Sequence, residues 1–262
     1  MTGTGPRTSW NPTVYHRYAD ERSRPFYDLV QRVQHASPVE VVDLGCGTGV
    51  LTATLTQRWP DARITGIDSS PDMVAGQPAD LPSNVTVIEG DISDFDASNI
   101  DVVVSNAALQ WVPEHRELIT RWAEQLNSGG TVAFQVPANF DAPSHVLMRR
   151  LAESDEWAPV LSGVLRGTDS VDRAEQYASA LMGAGLAVDA WETSYVHVLP
   201  GADPVLNWVR GTGLRPVLDA LDDEQQPRFE AQYAELLREA YPSTPTGTLF
   251  PFRRVFVVAE KN

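Results

Sequence analysis

Short runs rich in valine and isoleucine recur through the first half of the chain, each followed by a segment with helical spacing of its apolar residues. That alternation predicts a parallel sheet built from strand–helix–strand units. Candidate strands cover 39–43, 63–67, 85–88, 101–104 and 131–136, leading into Gly45, Asp68, Gly90-Asp91, Ser105-Asn106 and Pro137. Small and polar residues thus collect at the carboxyl edge, where an open α/β sheet binds its ligands. Helices are expected over 50–59, stopping at Pro60, and over 113–126, stopping before Ser128-Gly129-Gly130. Another opens at Arg24-Pro25 and runs to about Val33, with Phe26, Leu29, Val30 and Val33 at helical spacing. Farther on, helices at 144–153 and 172–182 precede a strand at 188–199; Pro200 to Pro251 reads mostly helical, and a last strand covers 253–259. No repeat, low-complexity tract or linker interrupts this order. The expectation is one domain over 1–262, with a helical lid at about 200–250 and N-terminal helices at 10–36 closing over the site.

Composition narrows the function classes. A chain of 262 residues, 42% hydrophobic, can bury a sizeable core. Cys46 is the only cysteine, which excludes an internal disulfide and fits a reducing compartment. No apolar run is long enough to span a membrane, and the first ten residues lack the apolar core of a signal peptide. A cytoplasmic location is expected, with no membrane partner. The net charge of −15 argues against nucleic-acid binding, which depends on neutralising phosphates. Lys261 is the only lysine, so lysine chemistry is nearly excluded. The histidines show no metal-ligand spacing, and no metal site is assigned.

The segment Asp43-Leu44-Gly45-Cys46-Gly47-Thr48-Gly49 lies between a strand and a helix. Its three alternate glycines let the backbone turn tightly and approach a ligand without intervening side chains. The dinucleotide pattern would need glycine at position 50 or 52, which are Val50 and Thr52. The D-x-G-x-G-x-G arrangement instead resembles motif I of class I S-adenosylmethionine-dependent methyltransferases. A carboxylate at Asp43 and backbone groups from the turn suit that zwitterion. Asp68, with Ser69, ends the second strand where an acid can accept ribose hydroxyls; this alone does not separate the two cofactors. Gly90-Asp91-Ile92 is similar to the methyltransferase adenine motif, in which Asp91 takes the exocyclic amine and Ile92 packs on the ring. Ser105-Asn106-Ala107 resembles the loop against the methionine moiety. Asp68 or Asp91 alone could equally be a helix cap. Four such features in order, at the ends of four successive strands, make the joint signal strong.

Past these motifs the resemblance narrows to the trans-aconitate methyltransferase family. It is carried by Asn106 to His115, by Trp10-Asn11-Pro12 with Tyr15, and by Arg22 to Pro25. Gln135 to Asn139 with Pro143-Ser144-His145, Trp208 to Pro216, and Pro251 to Phe256 match as well. One departure is Gly76-Gln77-Pro78, where an alanine-rich helix would be expected to continue. The resemblance implies a Rossmann-like, mostly parallel seven-stranded sheet with an antiparallel last strand and a helical lid inserted between the last two strands. It also implies methyl esterification of one carboxylate of trans-aconitate, using S-adenosyl-L-methionine.

A carboxylic acid is already ionised at neutral pH, so no catalytic base is assigned and rate is expected from proximity and orientation. The carboxylates that do not react need cationic partners. If the last strand runs antiparallel, its start lies at the carboxyl edge, with Arg253 and Arg254 on opposite faces. Arg254 is the favoured inward residue. Arg210 and Arg215 from the lid, Arg22 and Tyr15 from the N-terminal stretch, and Gln110, Trp111, Asn139 and His145 complete the expected substrate set. A monomer is expected. Alternatives are a class I methyltransferase acting on another small acceptor, a non-catalytic cofactor-binding module, and a nicotinamide oxidoreductase.

Overall fold

The computed structural model describes residues 19–262 except 166, 168 and 169, with side chains from residue 23 onward. Its strands are β1 (Glu40–Leu44), β2 (Arg63–Asp68), β3 (Val85–Glu89), β4 (Val102–Asn106), β5 (Thr131–Pro137), β6 (Leu186–Leu199), β7 (Ser243–Thr244) and β8 (Gly247–Lys261). The α-helices are α1 (Ala19–Val30), α2 (Val50–Thr54), α3 (Pro71–Ala75), α4 (His115–Gln125) and α5 (Pro143–Ala152). They continue with α6 (Ala158–Leu161), α7 (Ala174–Gly183), α8 (Pro204–Arg210), α9 (Arg215–Ala220) and α10 (Gln225–Ala240). Among the described residues no helix is long and apolar enough to cross a membrane.

The chain forms two compact units. The first holds the described residues up to Pro137, then Val171–Thr193 and Arg254–Asn262; the second holds Ala138–Ser170 and Ser194–Arg253.

In the sheet the strands run in the order β3-β2-β1-β4-β5-β8-β6, with the short β7 paired only to β8. Strands β1 to β5 are parallel. Strand β8 is antiparallel to β5, with Gln135 opposite Phe256 and Pro137 opposite Arg254. This is the expected seven-stranded Rossmann-like sheet with a reversed last strand. The central strands β1, β4 and β5 are buried nearly throughout, as their continuous apolar runs require when both faces are covered. At the edge, β3 buries Val85 and Val87 but exposes Thr86. The carboxyl ends of β1 to β4 deliver the glycine turn, Asp68, Asp91 and Asn106, all within the first unit.

Three departures from the sequence reading exceed a shift of one or two residues at an element's end. Helix α1 begins at Ala19, so Pro25 lies inside it instead of opening it. The missing N–H of Pro25 removes one helical hydrogen bond; Phe26, Leu29 and Val30 on the following turn are buried and hold the helix to the sheet. The segment expected as one helix over 50–59 is α2 followed by a 3-10 turn at Leu55–Gln57. The last strand starts at Gly247, six residues before the expected Arg253. Thr248, Phe250 and Phe252 are buried while Leu249 and Pro251 are exposed, a strand alternation that Pro251 tolerates on its exposed side.

In the second unit, the residues expected as the lid share their core with α5. The Tyr233 hydroxyl donates to the Ser144 carbonyl at 2.7 Å, and the Ser144 N–H donates to the Tyr241 hydroxyl at 3.1 Å. The Trp157 indole N–H donates to Gln232 at 2.7 Å and packs edge-on against Phe229. A long segment following β5 therefore belongs with residues 194–253.

Candidate active site

Gly45 and Gly47 shape the turn after β1. Both have left-handed backbones, φ 77° and 59°. The N–H groups of Gly45 and Cys46 both donate to the carbonyl of Ile67, at 2.8 and 3.1 Å, folding the turn over the end of β2. A Cβ on Gly45 would lie 2.1 Å from the Cβ of Ala108, whereas one on Gly47 would meet nothing within 4 Å. Gly45 thus permits close packing of the loop after β4, and Gly47 presents bare backbone to open space. The N–H groups of Gly45, Cys46, Gly47 and Gly49 are all spent inside the fold, so the turn offers a ligand its carbonyls, which suit an ammonium. Gly45→Ala should lower cofactor affinity by more than about 100-fold and destabilise the chain by about 2–4 kcal/mol, through backbone strain and the Ala108 collision. Calorimetric titration and thermal melting read the two effects; an unchanged Kd would contradict this role.

Asp68 braces the turn. Its Oδ2 accepts from the Gly47 N–H at 2.8 Å and its Oδ1 from the Ser70 N–H at 2.9 Å, next to exposed Ser69. Each carboxylate oxygen keeps a further lone pair for a ribose hydroxyl. Asp91 caps a 3-10 turn at Ile92–Asp94, its Oδ1 accepting from the Ser93 N–H and hydroxyl at 2.8 and 2.5 Å. The cap uses one oxygen and leaves the other to an exocyclic amine, and Ile92 beside it is buried. The cap and ligand roles of these acids are compatible.

Asn106 ends β4 with its Oδ1 buried and without a hydrogen-bond partner among the described residues. The next residue, Ala107, has φ 55°, a strained conformation for a residue with a Cβ. Two bonds hold it: its N–H donates to the Gln135 carbonyl at 2.9 Å, and its carbonyl accepts from the Gln110 side-chain amide at 2.6 Å. This bend carries Ala108 to the glycine turn. Gln110 is thus buried as a brace for the loop, whereas Trp111 is 36% exposed.

Asp43 lies under the turn, 3% exposed, and its Oδ2 accepts from the Thr52 hydroxyl at 2.5 Å. Burial pushes its pKa up to about 7; the Thr52 bond opposes the rise and the Asp68 charge adds to it. The same burial, with Asp43 and Asp68 nearby, drives the Cys46 thiol well above its ordinary range, unsuited to a nucleophile.

The two arginines opening the expected last strand have different surroundings. Arg254 is 3% exposed, and its Nη1 donates to Gln135 Oε1 at 3.1 Å. Arg253, in the second unit, pairs with the Asp141 carboxylate at 3.0 Å. The register puts Arg254 and Gln135 on one face of the sheet, together with Asn106 opposite Gln135 on β4. Gln135 was not among the expected site residues. The available signal was an amide following the apolar run Val132-Ala133-Phe134 in the strand at 131–136.

The remaining expected substrate residues lie in the second unit or outside the description. Arg210 is committed to Glu230 by two bonds, at 2.6 and 3.0 Å, and to Asn207, and so clamps α8 to α10. Asn139 accepts the Arg253 N–H at 2.7 Å through Oδ1 and buries Nδ2. His145 Nδ1 lies 3.1 Å from the Ser144 hydroxyl, and its Nε2 faces the Gly213 backbone. Arg215 is half-buried at the start of α9. Tyr15 and the Arg22 side chain lie outside the described residues.

A methyltransferase domain model matches residues 41–130, from β1 to the residue before β5. The chain is 50% identical to a trans-aconitate 2-methyltransferase of Streptomyces avermitilis, covering 97% of both chains. It is 52% identical to that of Rhodococcus jostii, covering 96% of this chain and 99% of the relative. Among solved structures, the YcgJ protein of Bacillus subtilis aligns with a TM-score of 0.57 at 12% identity, over 91% of this chain and 98% of that one. A geranyl diphosphate C-methyltransferase of Streptomyces coelicolor aligns with a TM-score of 0.53 at 14% identity, over 99% and 86%. These two similarities establish the fold. The full-length relationships establish more: the chain belongs to the trans-aconitate 2-methyltransferase family of S-adenosylmethionine-dependent enzymes.

Proposed function

We propose that the protein methylates a carboxylate of trans-aconitate, giving the monomethyl ester. When bound, S-adenosylmethionine supplies a methyl group on a sulfonium, already electrophilic. Asp68 and Asp91 would hold its nucleoside, Ile92 would pack on its base, and Gly47, Asn106 and the charge of Asp43 would receive its amino-acid end.

The acceptor oxygen needs no base, because a carboxylic acid of ordinary pKa is ionised at neutral pH. The residues of the chain therefore act by placement, and well-oriented reactants gain roughly 7–11 kcal/mol over free encounter. The observation that carries the polycarboxylate reading is Arg254, a guanidinium buried at 3% exposure in a chain of net charge −15. Its Nη1 donates to the side-chain oxygen of Gln135. A carboxylate that does not react is the fitting ligand for such a cation.

Incubation with an isotope-labelled methyl donor and trans-aconitate, followed by mass analysis, tests this directly. One labelled methyl ester per molecule is expected, with little product from phenols, amines or monocarboxylic acids. Equal turnover of uncharged acceptors would overturn the polycarboxylate assignment.

A further inference from the structure

Gln135 has no exposed surface, yet its side-chain Nε2 has no hydrogen-bond partner among the described residues. A buried donor left without an acceptor destabilises a fold, and an aliphatic side chain on this strand would avoid that cost. The orientation of the amide follows from its neighbour. A guanidinium can only donate, so the oxygen of Gln135 must face Arg254, and Nε2 must point away from it. Directly across on β4, Asn106 Oδ1 is also buried without a partner, so donor and acceptor are both held ready on one face.

We infer that Gln135 determines specificity in the proposed reaction: Oε1 fixes the Arg254 guanidinium, and Nε2 donates to the substrate carboxylate that Arg254 holds. The pair then offers donors only. A carboxylate, which only accepts, satisfies both groups; a carboxamide turns an N–H toward one of them. The backbone of the same residue, through its bond to Ala107, sets the loop beside the glycine turn, so one strand position serves both ligands.

This inference rests on the trans-aconitate reading, and its test separates the two. Wild type, Gln135→Glu and Gln135→Met are assayed with trans-aconitate and with its three monoamides, alongside cofactor titration and thermal melting. The glutamate variant retains an acceptor for Arg254 but turns a negative oxygen toward the substrate. Its KM for trans-aconitate should rise about 100-fold, with cofactor Kd within about threefold, and its preference should move toward one monoamide by a similar factor. The methionine variant keeps the volume without the charge; its KM should rise about tenfold with no gain for any amide. Should the glutamate variant fail to fold, an unchanged KM in the methionine variant overturns the inference. Unmoved selectivity in a folded glutamate variant overturns it too, while wild-type turnover leaves the proposed function standing. Failure of wild type with trans-aconitate overturns both.

Discussion

Arg254→Met should raise the KM for trans-aconitate by about 100-fold or more while changing cofactor affinity less than about threefold. The magnitude follows from losing a buried, charge-assisted hydrogen-bond donor set, with about 1.5–3 kcal/mol per bond to a charged group and roughly 1.4 kcal/mol per factor of ten. Methionine fills a similar volume but leaves the buried Gln135 oxygen without its donor, a cost of about 1–3 kcal/mol. The melting temperature should therefore fall by only several degrees, and the unchanged cofactor affinity separates lost recognition from lost structure. Arg254→Lys should fall between wild type and the methionine variant. It restores the charge, but a point ammonium lacks the planar fork that can serve Gln135 and a carboxylate together. Steady-state kinetics on both variants decide the matter, and a fall in kcat at unchanged KM would contradict an anchoring role.

Asp43→Asn should separate stability from function. The Asp43 carboxyl is raised from 3.8 to about 7, chiefly by burial. The folded state thus holds this proton more tightly than the unfolded state does. The resulting stabilisation is complete below about pH 4 and is lost as pH climbs through about 7. Asparagine abolishes the cost of the buried charge and still accepts from Thr52, so the ligand-free variant should gain on the order of 3 kcal/mol at pH 8 and almost nothing at pH 4. Denaturant titration at the two pH values measures the difference. Cofactor affinity should move the opposite way, falling about tenfold or more, because a carboxylate near a cationic ligand favours binding only when ionised. In wild type, affinity should rise with pH through about 7 and binding should release a proton, seen by calorimetry in buffers of different ionisation enthalpy; in the variant that release should disappear.

The cluster proposed for the cofactor was legible as a cluster because its signals are local. Glycines at 45, 47 and 49, and acids at 68 and 91, each follow a strand whose period and composition can be read from the chain, and parallel pairing then gathers the strand ends. The other groups depend on tertiary contacts that no short window contains. Arg210 read as an available cation until α10 brought Glu230 to it. Thr52 and Asp43 are nine positions apart, and only the turn over β2 puts hydroxyl against carboxylate. Gln135 entered the sequence reading only as part of the family resemblance, because its partner Arg254 lies 119 residues away. The boundaries that moved have a similar origin: burial of Phe26 and Leu29 overrides the usual meaning of Pro25, and pairing with β7 extends β8 back to Gly247.

Arg253 and Arg254 also show how the function is encoded in odd and even positions. Adjacent residues of β8 point to opposite sides, so a frame shift of one residue upstream would exchange the Asp141-paired side chain for the buried one. The hairpin at Thr244 and Gly247, where Ser243 faces Thr248, counts residues into that strand. The register of β8 against β5 is consequently constrained by parity: a slip of one residue sends the wrong guanidinium inward, whereas a slip of two preserves the alternation.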